Sequence, residues 1–378
     1  MGGVGDYSYQ VASRIAENGR SVHVWGPKLE GKPREATGVI YHDGLGKFTP
    51  LDLNRVDKEL DVFKNSRLLL VQWVPHGYGF KSLNLLFCLW IWKRARINGD
   101  RIDIMVHEPF LAFGEGSWRQ DLAALIHRLM AAILLNAAKR VWVAIPEWER
   151  NLTPYALGRK IPFVWLPVPS NISFVEDPVG VLEVRKRYAP QSGYLIGSFG
   201  TYGKSISELL MRFIPSLLSK HGDWNFILLG NHGEEFHSEL LRKEPKMRDQ
   251  VCSTGFLREQ DLSKHIQACD LFVQPYPDGV SSRRCSTMAL LSHSRPVVTT
   301  LGRLTEPLWL EGESVVLVPP GDIDSLIKAT EQLLNERNNR DRLGERAKQF
   351  YIKHFDITET VSVLAGNESK RIYERPHF

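Results

Sequence analysis

From Tyr194 onward the chain alternates short apolar runs with helical stretches, and this rhythm leaves few folds open. "YLIGSFG" reads as a strand and a glycine turn, "SISELLMRFIPSLLSKHG" as the helix after it, and "WNFILLGN" as the next strand. "DLSKHIQAC", "DLFVQPYPDG", "STMALLSHSR", "PVVTT", "SVVLVPPGD" and "DIDSLIKATEQLLNE" continue the alternation to the end of the region. Apolar strands separated by helices build parallel sheets, because a parallel neighbour needs a crossover long enough to hold a helix. The first half repeats the pattern less regularly. "SVHVW", "RLLLVQWV", "RIDIMVHE" and "RVWVAIP" read as strands, and the Ala- and Leu-rich stretch 119–139 as a helix. The reading is therefore α/β, with two Rossmann-like domains facing each other across a cleft. The Pro-rich stretch "PVPSNISFVEDPVG" marks the join. Residues 1–172 form the first domain and 173–354 the second, with a final helix over 355–378 packing back on the first.

The length of 378 residues suits two cores. A formal charge of +5 is too small to mark a nucleic-acid binder and fits anionic ligands or anionic lipid head groups. Four scattered cysteines lack metal-ligand spacing, so no metal site is expected and a reducing, cytoplasmic setting is the simpler reading. The longest apolar stretch, "LNLLFCLWIW", is about half a membrane span. Followed by Lys93, Arg94 and Arg96, it reads either as a helix lying on the inner face of a membrane or as a buried helix with a solvated basic end.

Three stretches could carry chemistry. "MGGVGDYS" places Gly2, Gly3 and Gly5 before a helix, where unhindered backbone N–H groups can meet an anion. It is not a dinucleotide fingerprint: the GxGxxG spacing is absent and no acid ends the following strand "VHVWGP". "IGSFGTYGKS" is a glycine turn at Gly200 with Lys204 near a helix start and Ser205 as its expected N-cap; the Walker spacing fails. "QPYPDGVSSRRCSTMALLSHSRPVVTT" sends Asp278, Gly279, Val280 and Ser281 through Arg283 and Arg284 to a helix near Ser286. Two guanidinium groups beside a helix N-terminus suit a diphosphate. Asp322 and Asp324 read as the cap and first turn of a helix, not as a metal-binding pair.

Taken in order, "GGVGDYSYQVASRIAENG", "VHEPF", "PVPSN", "GSFGTYGK", "STGFLREQDL" and "PDGVSSRRCSTMALLSHSRPVVTT" resemble the family-4 glycosyltransferases of the GT-B type over nearly the whole chain. The resemblance implies a retaining, metal-independent hexosyltransferase that uses no cofactor. Its donor would be a UDP-sugar, with a GDP-sugar as second choice. The acceptor would be a glycan or a lipid-linked molecule in surface polysaccharide or glycolipid synthesis. It places Gly3 and its neighbours at the donor diphosphate, His107 near the reacting sugar and Lys204 on the diphosphate. Phe256 and Leu257 would meet the base, and Asp278 the sugar hydroxyls. In such enzymes the leaving phosphate helps to deprotonate the acceptor, with Glu108 the nearest side-chain alternative.

The chain also departs from the family. The second acid of the paired-glutamate motif falls on Ser286 or, counted from Pro296, on Ala289. The arginine before the lysine is Phe199, for which Arg283 or Arg284 would stand in. The strand expected before the first glycine loop is missing, so either the reading frame starts late or the first sheet is one strand short. These departures leave a catalytically weak or silent nucleotide-sugar binder as the competing reading.

Overall fold

The computed structural model describes residues 3–27, 37–64, 67–114, 116–190 and 193–365. They divide into two compact units, one drawn from Met1–Pro167 with Ile357–Phe378 and the other from Val168–Asp356.

The first unit opens with helix α1 (Gly3–Glu17), followed by β1 (Val22–Trp25) and β2 (Val39–His42). Helix α2 (Pro50–Leu60) starts at a reciprocal cap in which Thr49 and Asp52 satisfy each other's backbone N–H groups. Then come β3 (Leu68–Trp73), α3 (Leu85–Arg96), β4 (Arg101–Val106), α4 (Trp118–Ala137) and β5 (Arg140–Val143). A short α5 (Glu147–Leu152) leads to β6 (Phe163–Trp165). The strands lie in two parallel sheets, β1-β2 and β3-β4-β5-β6. Among the described residues no strand precedes α1.

Helices α2 and α3 are tied by charge as well as by packing. Arg94 on α3 is fully buried and bonds Asp57, Asp61 and Asp100. Lys93 reaches Asp57 at 2.6 Å. A buried guanidinium is tolerable only when carboxylates surround it in this way. At the basic end of α3, Arg94 is therefore held inside the unit, while Lys93 and Arg96 remain exposed.

The second unit holds one six-stranded parallel sheet. In chain order its elements are α6 (Pro178–Tyr188), β7 (Leu195–Phe199), α7 (Lys204–Leu218), β8 (Asn225–Leu229), α8 (Gly233–Lys243) and β9 (Val251–Gly255). There follow α9 (Glu259–Ala268), β10 (Leu271–Gln274), α10 (Cys285–Ser292), β11 (Val297–Thr300) and α11 (Leu308–Glu311). β12 (Val316–Val318), α12 (Ile323–Asn335) and α13 (Arg337–His354) complete it. Successive strand residues feed two cores: Leu195, Ile227, Phe272 and Val297 face one, and Ile196, Phe226, Leu271 and Val298 the other. That is the period of two of a sheet covered by helices on both faces. Helix α7 buries Leu210, Phe213, Ile214, Leu217 and Leu218, spaced as one helical stripe.

The strand order β12-β11-β10-β7-β8-β9 matters for function. From β7 the chain builds outward through β8 and β9, then returns beside β7 with β10 and builds the other way. The β7/β10 boundary is thus the switch point, where the two following loops part and leave a crevice at the strand C-termini. The last described helix, α14 (Ile357–Leu364), lies against α1 in the first unit, and Arg20 donates to the Ala365 carbonyl at 2.6 Å. The rest of the expected 355–378 helix, from 366 on, lies outside the described residues.

Candidate functional site

Two loops leave the switch point. After β7 the chain turns at Gly200, whose N–H bonds the Leu229 carbonyl at 3.1 Å, and enters α7 at Lys204. The N-cap is Gly203, not Ser205, which sits inside the first turn. Gly203 has no side chain to cap α7; its carbonyl accepts from the Ile206 N–H at 3.0 Å, and the Lys204 and Ser205 amides ahead of it suit an anionic acceptor. Lys204 is exposed beside them.

After β10 comes the denser arrangement. Gln274, the last strand residue, accepts from Ser198 Oγ at 3.1 Å and from Phe199 N at 3.2 Å, and donates to the Phe199 carbonyl at 2.7 Å. One buried amide side chain thereby locks the ends of β7 and β10 together. Tyr276 is buried, its hydroxyl within hydrogen-bond reach of Ser286 (3.0 Å) and Thr287 (2.9 Å) at the start of α10. Gly279 takes a φ of +88°, and a Cβ there would overlap Thr305 and the Gly302 backbone. Only glycine fits at this turn.

Asp278 is the centre of the loop. Arg284 donates to its Oδ1 at 2.7 Å, and Arg283 bonds its Oδ2. Burial would raise the Asp278 carboxyl, but the two guanidinium charges outweigh burial and hold it below the usual carboxylate range. Two adjacent arginines do converge on one group, contrary to what their neighbouring positions suggest. Arg284 is itself the N-cap residue of α10, and its guanidinium lies 4.4 Å from the centre of the Tyr276 ring. Two cations against one anion leave the trio formally cationic at the N-terminus of a helix. Val280 and Ser281 are fully buried behind it.

Sequence reasoning missed Glu306. It is 5% exposed and accepts from the Ser282 N–H at 3.0 and 3.2 Å, from the Ser282 hydroxyl, and from Trp309 Nε1 at 2.9 Å. Burial raises its pKa to about 7. Glu306 therefore fixes the backbone immediately before Arg283. At the edge of the sheet, two strands out from β7, β9 ends at Gly255 with φ of +59°, then Phe256 stands 68% exposed and Leu257 packs on the core.

In the first unit, Gly3 and Gly5 lie inside the first turn of α1, not in a loop ahead of it. Their amides belong to the unsatisfied first turn and can still meet an anion, although Asp6 shares that turn. Gly2 lies outside the described residues. His107 follows β4 and is 8% exposed. Its Nε2 is 2.9 Å from Gln72 Oε1, its ring meets Tyr7 edge-on at 4.9 Å, and its carbonyl accepts from Trp148 Nε1 at 2.9 Å. Burial lowers its pKa to about 4, so the ring is neutral near pH 7. Glu108, beside it, is partly exposed, with His76 3.9 Å away.

Residues 193–336 match the family model described as Glycosyl transferases group 1. The chain is 25% identical over 188 residues to the alpha-D-kanosaminyltransferase of Streptomyces kanamyceticus, an alignment that spans 49% of this chain and about half of that protein, 47%. In structure it resembles the sucrose-phosphate synthase of Thermosynechococcus elongatus, with a TM-score of 0.73 at 15% identity over 97% of this chain and 92% of that one. It also resembles Anabaena HepE solved in complex with UDP-glucose, with a TM-score of 0.68 at 15% identity over 97% of this chain and 95% of that one. The chain has the GT-B fold, and its residues 193–336 match the Glycosyl transferases group 1 family.

Proposed function

We propose that this protein transfers a sugar from a nucleoside diphosphate sugar to a hydroxyl acceptor, with retention of configuration at the transferred carbon. The observation that carries the reading is the β7/β10 switch point. It sets Lys204 and the first turn of α7 on one side and Asp278, Arg283, Arg284 and the first turn of α10 on the other. Cations and helix N-termini gathered at strand C-termini suit a diphosphate, and the charge that grows on it as the sugar leaves is the charge they would stabilise.

Lys204 and the two arginines neutralise the departing diphosphate without a metal ion. Phe256 and Leu257, at the end of β9, meet the base, and Gly200, with open space where a Cβ would stand, gives the nucleotide close access to the backbone. Asp278 addresses the donor sugar hydroxyls, and the arginine pair both orients it and keeps it ionised. The C–O bond from sugar to phosphate breaks, the acceptor hydroxyl attacks from the same face, and a phosphate oxygen takes its proton. His107 acts as a neutral hydrogen-bonding group near the reacting carbon. HepE, with UDP-glucose bound, supports a UDP-sugar as donor, and a GDP-sugar remains the second choice. The acceptor is a glycan or a lipid-linked molecule of surface polysaccharide or glycolipid synthesis, and the reaction takes place in the cytoplasm.

A panel of nucleotide sugars assayed for nucleoside diphosphate release, with no acceptor and with simple glycosides, tests this reading. Slow hydrolysis of one UDP- or GDP-sugar, accelerated by an acceptor, is expected. Tight binding without turnover would favour a silent nucleotide-sugar binder, and neither binding nor turnover would overturn both.

A further inference from the structure

Eleven of the twenty-three large apolar side chains exposed among the described residues fall between Phe80 and Leu129, so exposed apolar surface is concentrated in one stretch of the first unit. Its spine is α4. Trp118, Leu122, Leu125 and Leu129 recur at spacings of four, three and four, one face of a helix, and stand 71%, 48%, 58% and 52% exposed. The opposite face of the same helix buries Ala124, Met130, Ala131 and Leu134 in the unit. A helix apolar on both sides is expected to be covered on both, yet one side of α4 faces outward.

Helix α3 lies beside it and runs the same way. His127 Nε2 is 2.9 Å from the Ser82 carbonyl at one end, and Trp92 Nε1 donates to Asn136 at 2.9 Å near the other. The outer residues Leu86 and Leu89 of α3 extend the exposed apolar surface alongside α4.

The charge on these helices is positive with one exception. Helix α3 contains no acid, and Asp121, the one acid of α4, accepts from the Gly114 N–H at 2.8 Å. Arg119 lies by Trp118, 5.6 Å from its ring, and Arg128 lies over Phe113 at 3.8 Å, each cation against an aromatic ring. Lys81 and Arg96 add exposed positive charge near the two ends of α3. Apolar stripe, tryptophan and cations together are the features of a helix that lies in the head-group region of an anionic bilayer. No helix among the described residues is long and apolar enough to cross one.

We propose that the outer face of α4, flanked by α3, is a docking surface for an anionic lipid membrane. From sequence, the 80–97 segment with Lys93, Arg94 and Arg96 reads either as such a membrane helix or as a buried helix with a solvated basic end. Lys93 and Arg94 are engaged with Asp57, Asp61 and Asp100, and the broader stripe is on α4. The proposal does not need the transferase reading, although a surface of this kind would bring the protein to a lipid-linked acceptor.

Flotation of the full chain with vesicles, with no nucleotide sugar present, tests it. Vesicles containing roughly a third phosphatidylglycerol should carry the protein at least tenfold better than phosphatidylcholine alone, and about 0.5 M salt should abolish most of the difference. The double variant Leu122→Ser, Leu125→Ser should lose roughly tenfold or more in partitioning, and Arg119→Glu several-fold. Both should keep the wild-type melting temperature and UDP affinity. Failure of the wild type to float, or flotation unchanged in the double variant, would overturn the proposal. So would light scattering that shows a wild-type dimer made monomeric by the double variant, which would assign the face to a second copy of the chain.

Discussion

Arg284 donates to Asp278 Oδ1 at 2.7 Å while Arg283 holds the other oxygen, so one carboxylate orients both cations of the β10–α10 loop. Asp278→Asn keeps the shape and removes the charge. Turnover should fall about 100-fold if the carboxylate orders the donor sugar, whereas affinity for UDP itself should hold or rise as the arginines are released. Arg284→Ala should cost about 100-fold in kcat/KM and Arg283→Ala about tenfold, because Arg284 is also the N-cap of α10 and packs on Tyr276. Steady-state kinetics beside calorimetric UDP titrations separate these outcomes. Parallel losses in turnover and UDP affinity for Asp278→Asn would make Asp278 a purely structural clamp.

Lys204 is exposed at the first position of α7, so its removal opens no cavity in the core. Lys204→Ala should lower kcat/KM by about two orders of magnitude, with the melting temperature unchanged. Lys204→Arg should recover part of the loss. Wild-type activity in Lys204→Ala would remove the lysine from the site.

His107 is neutral near pH 7 because burial lowers its pKa to about 4. His107→Ala should therefore reduce kcat far more than it weakens donor binding, and the wild-type pH–rate profile should show no His107 titration between about pH 6 and 7. Equal losses in kcat and donor affinity would assign His107 to packing against Tyr7 and Gln72 instead.

Glu306 gives a pH dependence of stability with a definite sign. Its pKa is about 7 in the folded chain and near 4.5 when unfolded, because burial penalises the charged form. The stabilisation of the protonated form is fully present below about pH 4.5 and is lost as the pH rises to about 7, on the order of 3 kcal/mol in all. Glu306→Gln lacks this titration. Chemical denaturation at pH 5 and pH 8 should show wild type losing stability relative to the variant as the pH rises. A difference that does not change with pH would contradict the raised value.

The alternation of strands and helices was legible because a buried parallel strand is a continuous apolar run and its crossover helix has its own period. Helix α2 was missed, although Thr49, Pro50 and Asp52 spell its cap, because few apolar residues mark its length. In the site, residue types and loop positions could be read, but pairings could not. Nothing local tells Asp278 that both arginines will turn toward it, and Glu306 meets Ser282 from 24 residues away. Long-range partners are set by strand order, which the periodicity of single segments does not encode. The same limit applies to α3, which reads from sequence either as a membrane-surface helix or as a buried one with a solvated basic end, because nothing local shows that Asp57 and Asp61 will hold Arg94.

The most direct test of the account is where UDP binds. A crystal structure of the protein soaked with UDP should show the diphosphate within hydrogen-bond reach of Lys204 and Arg284 at the β7/β10 switch point, with the base against Phe256 and Leu257. UDP seated on the first unit, or at the second unit away from that switch point, would contradict it.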